Sequence, residues 1–173
     1  TLAHPQMPGL HACTMPPEKP APGTPAPDFT APVIGGSYQD GDSLALSSLR
    51  GHPVVLYFYP KDDTPGCTTQ ACGIRDSWSV LSRKAKLFGI SGDSLKKHAK
   101  FQKKHDLPFP LLSDEDHHLA TTYGVWVEKM LYGRKYMGTE RSTFVIDKGG
   151  LIKAVLEKVR PEKHVELVLA ALG

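Results

Sequence analysis

Cys67 is the residue of this 173-residue chain whose surroundings favour chemical reactivity. The apolar run 54–59 predicts a buried strand, and Pro60 ends it. Thr64 is a favoured helix N-cap and Pro65 a favoured first helical residue, so Cys67 falls in the first turn of a predicted helix. Unpaired N–H groups and the helix dipole favour an anion there, and the Thr64 side chain should lean toward the same position. The spacing therefore predicts a thiolate with a hydroxyl beside it.

Ionisation of the thiol is not sufficient for an efficient thiol enzyme. An ordinary thiol is about 3 % ionised at neutral pH, so complete ionisation raises the amount of nucleophile only about thirty-fold. Groups that stabilise the departing oxygen must contribute as well. We therefore expect an arginine from elsewhere in the chain to fold onto Cys67.

A second cysteine, Cys72, follows Cys67 by five residues. On a regular helix the two Cα atoms lie roughly 8.6 Å apart, whereas a disulfide needs a separation below about 7 Å. Either the two thiols never pair, or pairing unwinds the start of the helix. A pair that forms only by local unfolding suits a catalytic switch better than a structural disulfide. The alternative is that Cys67 is an ordinary small buried residue.

The composition indicates one globular domain with a tail. The 21 basic and 18 acidic residues leave a net charge of +3, too small to indicate nucleic acid as the main partner. No apolar run reaches the length of a membrane span, and no hydrophobic signal segment is present, which favours the cytoplasm. Three cysteines are too few for a disulfide scaffold or an all-cysteine zinc site.

The first 27 residues differ from the rest because they contain eight of the fifteen prolines. We expect residues 1–27 to form an extended, weakly ordered tail, in which Cys13 is an incidental thiol, and residues 28–173 to form the folded domain. Strands are predicted at 29–34, 54–59, 85–91, 111–112, 142–147 and 151–157, and helices at 65–82, 94–105, 116–123 and 162–172. This order predicts an α/β fold with helices on both faces of a central sheet, in which the 54–59 and 85–91 strands run parallel as neighbours or near-neighbours.

The spacing Pro60-x-x-x-Thr64-x-x-Cys67 resembles the signature of the peroxiredoxins. The longer string from Tyr57 to Cys72 is similar to the peroxiredoxin Q class, also called bacterioferritin comigratory protein, in which a second cysteine follows five residues after the first. The similarity continues through 124–126 and 140–147 and covers about residues 28–173.

The resemblance implies a thioredoxin-like fold, with a central mixed sheet flanked by helices and an added N-terminal β-hairpin. It implies that Cys67 is the peroxidatic cysteine, Cys72 the resolving cysteine and Arg141 the missing cation. Thr64 is expected to hydrogen-bond the thiolate and the peroxide, and Pro60 to shield the intermediate from water.

The resemblance also implies a reaction. Thiolate attack on hydrogen peroxide or an organic hydroperoxide gives a sulfenic acid, the resolving cysteine condenses with it, and thioredoxin or a similar dithiol reduces the disulfide. No metal or organic cofactor is implied, and no nucleic acid or membrane partner. The class is often monomeric, so we expect a monomer.

Two other functions remain open at the level of sequence. A disulfide oxidoreductase of the thioredoxin type needs Cys-x-x-Cys, whereas four residues lie between Cys67 and Cys72. A redox sensor would use the same reversible disulfide to expose a binding surface. Repeated turnover of peroxide distinguishes an enzyme from a sensor, because a sensor is oxidised once and accumulates.

Overall fold

Nine β-strands and five α-helices lie within residues 18–173, the part of the chain that this computed structural model describes. Cys13 and most of the predicted tail lie outside the described residues. The strands in chain order are β1 (Thr30–Ile34), β2 (Ser43–Ala45), β3 (Val54–Phe58), β4 (Lys86–Ser91), β5 (Leu111–Ser113), β6 (Trp126–Leu131), β7 (Arg134–Thr139), β8 (Ser142–Ile146) and β9 (Ile152–Leu156). The helices are α1 (Pro65–Asp76), α2 (Trp78–Lys84), α3 (Leu95–His105), α4 (His118–Thr122) and α5 (His164–Leu172).

Seven of these strands form a mixed sheet in the order β2-β1-β5-β4-β3-β8-β9. The strands β3, β4 and β5 run parallel, whereas β8 pairs antiparallel with β3, and β9 pairs antiparallel with β8. The expected parallel pairing of the two buried strands is therefore confirmed. The expected N-terminal hairpin is also present, since β1 pairs antiparallel with β2.

The central strand β3 is buried on both faces, as its unbroken apolar run predicts. Val55 and Tyr57 pack into one hydrophobic cluster with residues of α1, α2 and α5. Leu56 and Phe58 point the opposite way, into a second cluster that contains residues of α4. The sheet thus lies between two layers, and the loop of residues 59–64 connects the C-terminal end of β3 to α1.

The predicted helix over 65–82 is in fact two helices. Ser77 has φ −107° and ψ 10°, which ends α1 and begins α2. In the described part of the chain, no helix is both long and apolar enough to cross a membrane.

A two-stranded hairpin of β6 and β7, which the sequence did not predict, extends beside the sheet. Its side chains are mostly exposed, so the hydrophobic alternation that marks a half-buried strand is missing. Its turn residues Tyr132 and Gly133 both have positive φ, 49° and 73°. Such turns normally carry Asn or Asp before Gly, and a tyrosine at that position does not indicate a hairpin turn.

The segment just before Asp28 is held in place, so the expectation of weak order is wrong for its described part. Gly23 N–H donates to the Ile152 carbonyl at 2.8 Å, and Ile152 N–H donates to the Thr24 carbonyl at 2.8 Å. Ala26 is buried in the core, and its N–H donates to Gly150 at 2.9 Å. Prolines are compatible with such a segment because the intervening residues supply the N–H groups.

Candidate active site

A buried polar network fixes the loop between β3 and α1. The Tyr59 hydroxyl donates to Oδ1 of Asp62 at 2.5 Å, and Oδ2 of Asp62 lies 2.7 Å from Nδ1 of the buried His98. The Asp62 N–H donates to Asp93 at 2.8 Å. Pro60 lies exposed in this loop, two residues after the end of β3. These bonds determine where α1 begins, and hence where its first turn places a side chain.

Cys67 occupies the third position of α1, as predicted, with Thr64 as N-cap and Pro65 as the first helical residue. Its side chain is 2 % exposed. The Thr64 hydroxyl departs from the predicted arrangement, because it donates to the Lys61 carbonyl at 3.0 Å and makes no capping bond to the first turn.

The expected arginine is Arg141, in the short connection between β7 and β8. Its Nη2 lies 3.4 Å from Sγ of Cys67, although the two residues are 74 positions apart in the chain. Strand register explains the approach: Phe58 at the end of β3 lies opposite Ser142 at the start of β8. Arg141 therefore lies just past the end of β3, where α1 begins.

Gln70 binds the other terminal nitrogen of the guanidinium, and the sequence did not predict this role. It is fully buried on α1, and its Oε1 accepts a hydrogen bond of 2.6 Å from Nη1 of Arg141. A polar residue three positions after a candidate nucleophile shares its helix face, which is the signal that could have identified it. Gly66 leaves room for the Arg141 guanidinium, because a Cβ at position 66 would lie only 3.1 Å from Nη2 of Arg141.

The unpredicted hairpin contributes Lys129 to the surroundings of Arg141. Its Nζ donates to the Thr139 carbonyl at 2.6 Å. Burial, followed by the charge of Arg141, lowers the pKa of Lys129 below its ordinary value, and the opposing attractions of Cys67 and Glu140 are smaller. A cavity of about 540 Å³ opens beside these two cations; it is lined by Val127, Glu128, Lys129, Glu140, Arg141, Lys158 and Val159.

A neutral, buried layer lies behind the site. His164 accepts or donates a hydrogen bond of 2.8 Å with the Thr143 hydroxyl, and its ring lies against that of Tyr57. Burial, reinforced by the charge of Arg141, lowers the pKa of His164 to about 3. This imidazole is therefore uncharged at neutral pH and does not compete with Arg141 for an anion.

Cys72 lies half-buried on the same helix as Cys67, and both are free thiols. The structure thus brings Cys67, Arg141 and the hydroxyl-bearing N-cap together at one helix end, with Cys72 further along that helix. Among residues 18–173, no group of three His, Cys, Asp or Glu side chains converges in a way that could hold a metal ion.

Comparison with known proteins agrees with this geometry. The model of the AhpC/TSA family matches residues 22–155. A putative peroxiredoxin bcp of Coxiella burnetii is 50 % identical over 151 residues, which cover 87 % of this chain and 97 % of that protein. Peroxiredoxin Bcp of Bacillus subtilis is 48 % identical over 143 residues, covering 82 % of this chain and 91 % of that protein.

Solved structures give the same result. Peroxiredoxin Q of Xanthomonas campestris superposes with a TM-score of 0.76 at 38 % identity, covering 83 % of this chain and 89 % of that one. A mutant of Xylella fastidiosa PrxQ superposes with a TM-score of 0.79 at 32 % identity, covering 88 % and 95 %. The chain therefore has the thioredoxin-like fold of these structures and belongs to the AhpC/TSA family, in its peroxiredoxin Q and Bcp class of thiol peroxidases.

Proposed function

We propose that this thiol peroxidase reduces hydrogen peroxide and organic hydroperoxides with Cys67 as the peroxidatic cysteine. The observation that carries the proposal is the 3.4 Å separation between Nη2 of Arg141 and Sγ of Cys67 in the first turn of α1. The helix N-terminus and the guanidinium both favour a thiolate. The same guanidinium is placed to stabilise negative charge on the oxygen that leaves.

In the first step the Cys67 thiolate attacks one peroxide oxygen. The O–O bond breaks, and its electron pair leaves with the other oxygen, which takes up a proton to become an alcohol or water. Cys67 is oxidised by two electrons to a sulfenic acid. Because Arg141 contacts the sulfur before the reaction, it requires little reorganisation to stabilise the departing charge.

In the second step Cys72 acts as the resolving cysteine. Its sulfur attacks the sulfenic sulfur, water leaves, and a Cys67–Cys72 disulfide forms. A dithiol reductant, thioredoxin or one of similar chemistry, then supplies two electrons and two protons and restores both thiols. Such recycling requires a reducing compartment, which supports the cytoplasmic location expected from the sequence.

Two neighbouring residues complete the proposed site. The Thr64 hydroxyl uses its hydrogen on the Lys61 carbonyl, which leaves its lone pairs to accept a hydrogen bond from the O–H of the peroxide. We propose that Pro60, an apolar residue without an N–H in the loop before α1, shields the sulfenic acid from water. We also propose that the protein acts as a monomer, as expected from its resemblance to a class that is often monomeric.

The proposal is tested by peroxide-dependent NADPH consumption with thioredoxin and its reductase. We expect many turnovers for the wild-type protein and for Cys13→Ser, and none for Cys67→Ser, because a hydroxyl cannot replace the thiolate. Cys72→Ser should consume one equivalent of peroxide and leave a sulfenic acid, which a dimedone-type probe and mass spectrometry would locate on Cys67. Labelling at Cys72 or Cys13 would reverse the assignment, and a single turnover by the wild-type protein would favour a redox sensor.

A further inference from the structure

Lys19 connects the segment before β1 to the residue next to Arg141. Its Nζ lies 2.7 Å from Oε2 of Glu140 and 3.4 Å from Oε1 of Glu157. The backbone bonds of Gly23 to the β9 strand hold the segment in the position that makes this contact. The Lys19 and Glu140 side chains are 21 % and 12 % exposed, so this ion pair is shielded from solvent far more than a surface pair.

The carboxylate and the backbone N–H of Glu140 both have hydrogen-bond partners in this position. The buried Ser142 hydroxyl donates to the same Oε2 at 2.6 Å, and the Glu140 N–H donates to the Val125 carbonyl at 2.7 Å. Burial by itself raises the pKa of Glu140, but the hydrogen bonds from Lys19 and Ser142 outweigh it and hold the pKa below its ordinary value. Glu140 is thus an anion with its charge balanced by Lys19.

That balance matters because Glu140 lines the same cavity as Arg141 and Lys129. A carboxylate that lost Lys19 would be a half-buried, unbalanced anion in a cavity with three other cations, Arg141, Lys129 and Lys158. A guanidinium pairs strongly with a carboxylate, so Glu140 would compete with Cys67 and Gln70 for Arg141.

We propose that Lys19 is a positioning residue for peroxide reduction: by neutralising Glu140, it keeps the guanidinium of Arg141 directed at Cys67. The inference rests on the proposed role of Arg141. It gives the proline-rich segment a function in a reaction whose chemistry takes place on other elements.

The experiment compares four full-length variants with the wild-type protein: Lys19→Met, Lys19→Arg, the double variant Lys19→Met with Glu140→Gln, and Lys135→Met. Two quantities are measured in each, the second-order rate constant for oxidation of Cys67 by hydrogen peroxide and the pH dependence of the thiolate ultraviolet absorbance. Lys135 is the matched control. Its Nζ lies 3.5 Å from Oε1 of Glu128 in an exposed ion pair on the β6–β7 hairpin.

We expect Lys19→Met to slow oxidation on the order of tenfold, within the roughly 10²-fold that a displacement of about 1 Å can cause. Its thiolate should also form at higher pH than in the wild-type protein. Lys19→Arg keeps the charge and should remain within about threefold of wild type, as should Lys135→Met. The double variant should recover most of the rate, because Glu140→Gln removes the competing charge.

A Lys19→Met protein with the wild-type rate overturns the inference. A slow Lys19→Met protein that Glu140→Gln does not rescue also overturns it, because Lys19 then acts only by fastening the segment. Arg141→Ala, measured alongside, separates this inference from the proposed function. If Arg141→Ala is slow and Lys19→Met is not, only the role of Lys19 fails; if Arg141→Ala reacts at the wild-type rate, the proposed role of Arg141 fails, and the inference with it.

Discussion

Cys67 and Cys72 lie five residues apart on one unbroken helix, α1, and both are free thiols. Helix geometry holds their Cα atoms roughly 8.6 Å apart, beyond the roughly 7 Å limit for a disulfide. Gly66 and Gly73 flank the two cysteines on α1, and each weakens a helix by about 1 kcal/mol relative to alanine. The proposed disulfide therefore requires the start of α1 to unwind.

We predict that oxidation increases amide hydrogen exchange from about Thr64 to Gly73 and changes little elsewhere. The buried network around Asp62 and His98 should confine the opening on the N-terminal side, because it anchors the loop independently of the helix. The measurement is hydrogen exchange with mass spectrometry on both redox forms. Equal protection of this stretch in a protein with a verified 67–72 disulfide would contradict the local-unfolding mechanism.

Arg141→Ala should slow peroxide reduction by about 10²–10³-fold, the usual loss when a donor to a developing oxyanion is removed. Arg141→Lys should be intermediate, because an ammonium keeps the charge but cannot bond Cys67 and Gln70 in the same fork-like geometry. The test measures single-turnover rates and thiolate absorbance over a range of pH. Full recovery of the alanine variant at high pH would mean that Arg141 favours the thiolate and does nothing for the leaving oxygen.

His164 should make the protein less stable in acid. Its pKa in the folded protein is about 3, whereas a histidine in an unfolded chain has a pKa of about 6.5. Between these values the unfolded chain binds a proton that the folded chain does not, so the contribution of His164 is complete above about pH 6.5 and falls by about 1.4 kcal/mol for each pH unit below it.

The measurement is the free energy of unfolding in urea at about pH 7, 6 and 5. His164→Gln keeps an amide for the Thr143 hydroxyl but does not titrate, so its stability should depend less on pH than that of the wild-type protein. The exposed His118 supplies the control, and His118→Gln should follow the wild-type curve. Parallel curves for wild type and His164→Gln would show that His164 contributes nothing to acid sensitivity.

Two truncations should behave differently. Removal of residues 1–17 should leave activity and stability close to wild type, because it keeps Lys19 and the backbone bonds to β9, which hold the described part of the segment. Removal of residues 1–26 deletes Lys19 and the backbone bonds to β9, and should reproduce the slower oxidation expected for Lys19→Met. The measurements are the peroxidase rates and the urea midpoints of both truncated proteins. Equal activity of the two would show that residues 18–26 do not contribute to catalysis.

Several site residues could not be predicted from the sequence, for physical reasons. Gln70 is a polar residue in a helix, and nothing local shows that its side chain is fully buried against Arg141. Lys129 lies on a hairpin whose exposed strands lack hydrophobic alternation, so neither the element nor its position could be predicted. Lys19 stands in a proline-rich stretch that has little to bury, and its order comes from hydrogen bonds to β9.

The sequence alone determined the local geometry of the nucleophile. A short apolar run ended by a proline, followed by an N-cap threonine and a proline, places Cys67 in the first turn of a helix through interactions between near neighbours. The tertiary structure decided which charges meet that thiol. The register of β8 on β3 brings Arg141 to Cys67 across 74 residues, and the docking of the N-terminal segment brings Lys19 to Glu140. Contacts of that separation depend on the packing of the whole sheet, which local spacing does not encode.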